Sequence, residues 1–84
     1  MLNQKPISLT LYSTSHCHLC EQAYSLLVRL EKSTSITWQT IDITSDEKIL
    51  LEYETRIPVI ERQDNKIELS WPFTYQDIQT FIAN

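Results

Sequence analysis

Not one of the 84 residues of this chain is glycine, and that absence limits how its backbone can turn. Glycine is the residue that enters left-handed backbone conformations without steric cost. Without it, each position with φ above zero falls to Asn, Asp or Ser, or is avoided. Asp64-Asn65 is where such a turn is expected.

Between the turns, apolar periodicity indicates the elements. Ile7, Leu9 and Leu11 alternate with Ser8, Thr10 and Tyr12, the period of a strand, and residues 13–16 form a polar turn. From Leu19 the apolar positions run through Ala23, Leu26, Leu27 and Leu30, a helical spacing with one buried face. This helix is expected to start near Cys17 or His18, with Ser15 or Thr14 as its N-cap, and to end between Glu31 and Ser33. Residues 36–42, rich in β-branched and aromatic side chains, read as a second strand. Thr44 or Ser45 is expected to cap a second helix, whose first turn holds Asp46 and Glu47 and whose apolar face is Ile49, Leu50 and Tyr53. Pro58 closes that region, and Val59-Ile60 reads as a short strand. Ile67 and Leu69 alternate with polar neighbours as its hairpin partner across Asp64-Asn65. Thr74 caps a last helix with the stripe Ile78, Phe81 and Ile82. The order is β-α-β-α-β-β-α: a crossover unit with two parallel strands, then an antiparallel hairpin and a closing helix. It predicts an α/β fold with a four-stranded mixed sheet flanked by helices, in a single domain over 1–84.

A chain this short buries only about 60–65% of its unfolded surface, so its core is thin. Its 42% hydrophobic residues nevertheless suffice for a folded domain. The formal charge is −4, and no cluster of Lys or Arg is present to displace counterions from phosphates. Nucleic acid and anionic membrane surfaces are therefore not expected partners. The first dozen residues lack a charged start, an apolar run and a cleavage site, and no apolar stretch approaches the ~20 residues of a membrane span. A cytoplasmic location is the expectation.

The two cysteines, Cys17 and Cys20, lie three positions apart. A loop so short loses little entropy when closed, so the pair is a poor structural staple. In a reducing compartment it points to redox chemistry or metal binding. Cys17 falls in the turn that opens the first helix, where unsatisfied N–H groups and the helix dipole favour thiolate. Cys20 follows one turn later as the natural resolving thiol. His16 and His18 flank Cys17, so a zinc site has to be weighed against this reading. Structural zinc wants a second ligand pair elsewhere, and nothing after Cys20 is Cys or His. No metal is assigned. His18, if protonated, would lower the Cys17 pKa further.

The segment Thr10-Leu11-Tyr12-Ser13-Thr14-Ser15-His16-Cys17-His18-Leu19-Cys20 resembles the first strand and active-site loop of glutaredoxins and their relatives. Arg56-Ile57-Pro58-Val59 resembles the segment around the cis-proline that the thioredoxin superfamily sets beside its dithiol. Trp71-Pro72-Phe73 is similar to the segment that marks a bacterial glutaredoxin-like branch. The resemblance covers nearly the whole chain and implies a thioredoxin-like, glutaredoxin-type fold with thiol–disulfide oxidoreductase activity. Cys17 is then the nucleophile and Cys20 the resolving thiol, while Tyr12, His18, Ile57, Pro58 and Trp71 are the expected substrate contacts. A cis Ile57–Pro58 bond would turn the Ile57 N–H and C=O toward an extended substrate.

Glutathione-using members carry a Gly-Gly turn and an acidic residue before the last helix, holding the γ-glutamyl carboxylate. Here Ser70-Trp71-Pro72-Phe73 occupies that stretch, and Ser13, Thr14 and Ser15 stand where a basic residue often precedes the active-site cysteine. Arg56 and Arg62 are the remaining candidates for a glutathione carboxylate. No resident cofactor is expected. The expected partner is a disulfide-containing protein or glutathione as co-substrate, acting on a monomer. Two other classes stay open: a binding module that keeps the fold without turnover, and a metal or iron–sulfur carrier using Cys17.

Overall fold

A computed structural model describes residues 6–84 of the chain; residues 1–5 of the expected domain lie outside the described residues. The elements are β1 (Ile7–Ser13), α1 (His18–Glu31), β2 (Ile36–Asp42), a 3₁₀ turn (Ile43–Ser45), α2 (Glu47–Tyr53), β3 (Val59–Arg62), β4 (Glu68–Ser70) and α3 (Tyr75–Ala83). Their order is the one expected from the periodicity.

The sheet runs β2-β1-β3-β4. β1 and β2 are parallel in register from Ile7↔Ile36 to Ser13↔Asp42. β3 lies antiparallel to β1, from Leu9↔Arg62 to Tyr12↔Val59, and β4 continues antiparallel to β3. β1 is therefore central, and Leu9, Thr10 and Leu11 are buried in succession rather than in alternation. Helices on both faces cause this, as in strands buried on two sides. On one face Leu9, Leu11, Ile36 and Ile60 pack against Ala23, Leu27 and Leu30 of α1, Ile78 and Ile82 of α3, and Phe73. On the other, Ile43, Tyr53 and Val59 form a smaller cluster with Tyr12, Ile49, Leu50 and Ile57. Each fully buried Leu or Ile contributes about 1.5–3 kcal/mol, so the first face carries most of the apolar stabilisation.

Several local expectations change. Cys17 itself is the N-cap of α1, in place of Ser15 or Thr14. Asp46, not Thr44 or Ser45, caps α2, because Asp42 draws Thr44 into the 3₁₀ turn through its N–H and hydroxyl. Leu19 lies on the exposed side of α1, 42% accessible, so the apolar stripe begins at Cys20. Ile67 is exposed ahead of β4, because the chain is still closing its turn there, with Ile67 N–H bonded to Asn65 Oδ1 at 3.0 Å. Among the described residues the left-handed ones are His16 (φ 59°) and Lys66 (φ 62°), not Asp64 or Asn65. Only a modest steric cost opposes this conformation in isolated residues, and His is among the types enriched in it. Thr74 caps α3 as expected, and Asp77 returns a hydrogen bond to complete a capping box.

Candidate active site

The chain leaves the sheet at Ser13 and has four residues in which to enter α1. Ser15 and His16 form the turn, and Cys17 takes an extended conformation (φ −108°, ψ 105°) at the helix N-terminus. Its Sγ accepts the Cys20 N–H at 3.2 Å, and its carbonyl accepts the Glu21 N–H at 3.1 Å. One of the helix's orphan donors is thus pointed at sulfur, beside the positive end of the dipole. Cys17 and Cys20 are joined as a disulfide, with Cα atoms 5.2 Å apart. Cys17 is half-buried, whereas Cys20 is only 4% exposed. Of the two residues, Cys17 is the more exposed to an incoming molecule. An open groove of about 280 Å³ lined by Leu11, Ser13, Cys20, Glu21, Tyr24 and Ser25 runs beside the pair. The larger recess of about 420 Å³, lined by Ser8, Thr37 and Gln63 among others, lies toward the far end of β1.

Strand register brings the second segment to the same end of the sheet. Tyr12 pairs with Val59, so Pro58 comes alongside the end of β1. The Ile57–Pro58 bond is cis, as is Trp71–Pro72. The Trp71 N–H donates to the Pro58 carbonyl at 3.1 Å, which ties the Trp71 segment to Pro58. Trp71 is half-buried with its ring edge-on to buried Phe73, centroids 4.9 Å apart. The Ile57 N–H donates back to the Tyr53 carbonyl at 3.1 Å. That bond corrects one expectation: the Ile57 amide is already taken by α2, leaving its carbonyl as the group for an extended substrate. His18 is exposed on the first turn of α1.

Tyr12 faces the α2 side, and its hydroxyl turns into the protein. It donates to Glu61 Oε1 at 2.9 Å, and its ring stacks on Tyr53, centroids 4.1 Å apart. The Tyr53 hydroxyl donates to Glu68 Oε2, and Arg56 Nη1 reaches Glu68 Oε1 at 3.1 Å. Glu61 and Glu68 are directly paired across β3 and β4, an arrangement that repels unless compensated. The two hydroxyls and the guanidinium offset that repulsion. Burial, and then the bond to Glu61, pushes the Tyr12 phenol above its ordinary pKa. Burial and the Glu68 bond push Tyr53 well above it. Sequence reasoning missed this brace. The available signal was two Glu residues alternating with Ile60 and Leu69 inside short strands.

Of the two arginines expected to meet a glutathione carboxylate, Arg62 is buried and Arg56 is partly exposed within ion pairs. Arg62 is buried and donates to the Phe81 and Asn84 carbonyls at 2.9 and 3.0 Å, closing the C-terminal end of α3. It also holds Asp64 in a two-point pair at 3.0 and 2.7 Å, which keeps the Asp64 carboxyl below the usual range. Arg56 joins Glu68 to Glu52. In the stretch where a Gly-Gly turn would stand, the Trp71 N–H is bonded to Pro58, Pro72 has none, and the Thr74 N–H donates to Asp77 at 2.8 Å. Among the described residues no group of three or more His, Cys, Asp or Glu could hold a metal. No helix among them is long and apolar enough to cross a membrane.

Residues 8–83 match the family model described as Glutaredoxin-like domain (DUF836). The chain belongs to this glutaredoxin-like family. Two solved structures at 29% identity share the whole glutaredoxin-like architecture. Protein Ne2328 from Nitrosomonas europaea superposes with a TM-score of 0.81 over 96% of this chain and 98% of its own. XcR50 from X. campestris gives 0.78 over 89% and 95%. Thioredoxin 1 from Thermosipho africanus, at 12% identity, shares the fold with a TM-score of 0.64 over 90% of this chain and 94% of that one. The glutaredoxin-like domain is thus a thioredoxin-fold variant carrying a C-x-x-C pair close enough to be bonded. No curated protein matches it.

Proposed function

We propose that this glutaredoxin-like domain is a dithiol thiol–disulfide oxidoreductase acting on protein disulfides. One observation carries the reading: a disulfide at a helix N-terminus whose first sulfur is accessible and whose second is buried. In the reducing direction the Cys17 thiolate attacks a substrate disulfide. A Cys17–substrate mixed disulfide forms, and the first substrate sulfur leaves as a thiolate that takes up a proton. Cys20, losing its proton, then attacks Cys17 Sγ; the Cys17–Cys20 disulfide forms and the second substrate sulfur departs. The substrate gains two electrons from the dithiol and two protons, one released by Cys20 and one taken from solvent because Cys17 starts as the thiolate. The oxidising direction is the same sequence reversed, and the relative potentials set which one runs.

Ile57, His18 and Trp71 are proposed to border the bound substrate, with the Ile57 carbonyl accepting a backbone N–H from it and Pro58, whose side chain is fully buried, lying behind them. Tyr12 is proposed to support that border from beneath through its ring. Protein substrates are favoured over glutathione because, of the backbone donors at 71 to 74, Pro72 has none and those of Trp71 and Thr74 are already bonded, which leaves at most the Phe73 amide. The decisive experiment uses Cys20→Ser incubated with a disulfide-bonded protein and, separately, with oxidised glutathione, followed by mass measurement. A stable mixed disulfide on Cys17 with the protein substrate is expected, with glutathione adducts forming more slowly. Absence of any adduct on Cys17 refutes the mechanism, and preferential glutathione capture refutes the substrate class.

A further inference from the structure

Two described residues other than glycine hold left-handed backbone, and their places differ. Lys66 lies in the β3–β4 turn, at the end of the sheet far from the dithiol, where its N–H bonds Arg62 O at 2.9 Å. His16 immediately precedes Cys17, at φ 59°. We propose that His16 is a positioning residue for the dithiol, acting through its backbone and not its imidazole. The role deepens the thiol chemistry proposed above and rests on that reading.

The argument concerns which residue caps α1. By side-chain chemistry Ser15 and Thr14 are the strong candidates, since a hydroxyl there accepts an N–H from the first turn. Yet the cap is Cys17, and its Sγ fills the capping role itself by accepting the Cys20 N–H three residues on. A left-handed residue at position 16 breaks the helical path at that point. It stops α1 from growing backward by one turn and hands the cap to the sulfur. Were residue 16 right-handed, a helix capped by Ser15 or Thr14 would make Cys17 the second or third residue of its first turn. There the sulfur would no longer sit at the cap, where it accepts the Cys20 N–H that favours its ionised form. The His16 side chain is exposed, so the fold does not depend on its packing.

The test compares four substitutions at residue 16 in a Cys20→Ser background. The readout is the rate of Cys17 alkylation by iodoacetamide against pH. His18, Glu21, Tyr12, Tyr24 and Asp42, the other titratable groups near this end of β1 and α1, stay unchanged throughout. His16→Gly and His16→Asn tolerate left-handed backbone and should keep the parent profile within about twofold. His16→Ala and His16→Val should raise the midpoint by about one unit, a roughly tenfold loss of thiolate below it. Lys66→Val imposes the same backbone demand elsewhere; it should lower resistance to urea and leave the midpoint alone. Equal slowing by Gly, Asn and Val would assign the effect to the imidazole and overturn the proposal. So would an unchanged profile in Ala and Val. If His16→Val does not fold, His16→Ala decides. Alkylation needs no disulfide substrate, so failure of the wild-type dithiol to reduce or oxidise any protein disulfide, with this alkylation pattern intact, would sink the oxidoreductase reading and leave the positioning role.

Discussion

Replacing Tyr53 by Phe removes one hydroxyl from the brace behind the active site and leaves the stacked ring in place. What is lost is the bond to Glu68 Oε2, while Arg56 still holds Oε1. A hydrogen bond to a charged group is worth about 1.5–3 kcal/mol. Glu68's side chain is 25% exposed, so water replaces part of it, and a loss of about 1–2 kcal/mol is expected at neutral pH. The pH dependence is more discriminating. Tyr12 and Tyr53 both have folded pKa values above the ordinary phenol value of about 10. Above that value the unfolded chain releases these protons while the native state keeps them. The contribution is therefore complete below about pH 10 and is lost as pH rises toward the folded values. Each such tyrosine removes about 1.4 kcal/mol per pH unit over that interval. Urea unfolding of the oxidised protein, in which no thiol titrates, measures it. The wild type should fall more steeply than Tyr53→Phe between about pH 10 and 11.5, by about one proton's worth of slope. Parallel curves would show that Tyr53 does not hold its proton in the native state, and the argument for the brace would fail.

Arg62→Met keeps the apolar stem but deprives the Phe81 and Asn84 carbonyls of their donor; a loss of about 2–4 kcal/mol is expected in urea unfolding, with faster amide exchange in α3. Asp64→Asn tests the same cluster from the acid side. The Asp64 pKa is depressed, so its contribution is present above about pH 4 and lost as pH falls toward the folded value. Acid unfolding should show a shallower decline below about pH 4 in the variant, and an unchanged acid limb would remove Asp64 from the account.

Element order, strand periods and the dithiol's place were legible because each rests on a pattern spanning many residues. The stripe Ala23, Leu27 and Leu30 is such a pattern, and so is the β-branched run of β2. The alternation in β1 misled at Thr10, because a central strand covered on both faces must bury its polar side as well. Thr10 survives there by accepting a hydrogen bond from Gln63 at 2.6 Å, a partner 53 positions away that no local pattern reveals. The caps failed for a related reason. Ser15, Thr44 and Ser45 all have capping chemistry, but the choice among neighbours was made outside them: by the backbone turn at His16 in one case and by the Asp42 carboxylate in the other. A chain without glycine gives no marker for its left-handed positions, so His16 and Lys66 were invisible from composition.

The two faces of the sheet divide their work by chemistry. The side facing α1 and α3 is apolar, and substitutions there should be felt as stability. The α2 side holds together through Tyr12–Glu61, Tyr53–Glu68 and Arg56, directional bonds that fix angles more than they add burial. Those bonds reach the segments beside the dithiol: Tyr12 pairs with Val59, and the Tyr53 carbonyl holds the Ile57 amide. The thiol exchange proposed above would need a substrate held at a set angle to the sulfur for in-line attack, and directional bonds on the α2 face would fix the segments at 57–59 that set it.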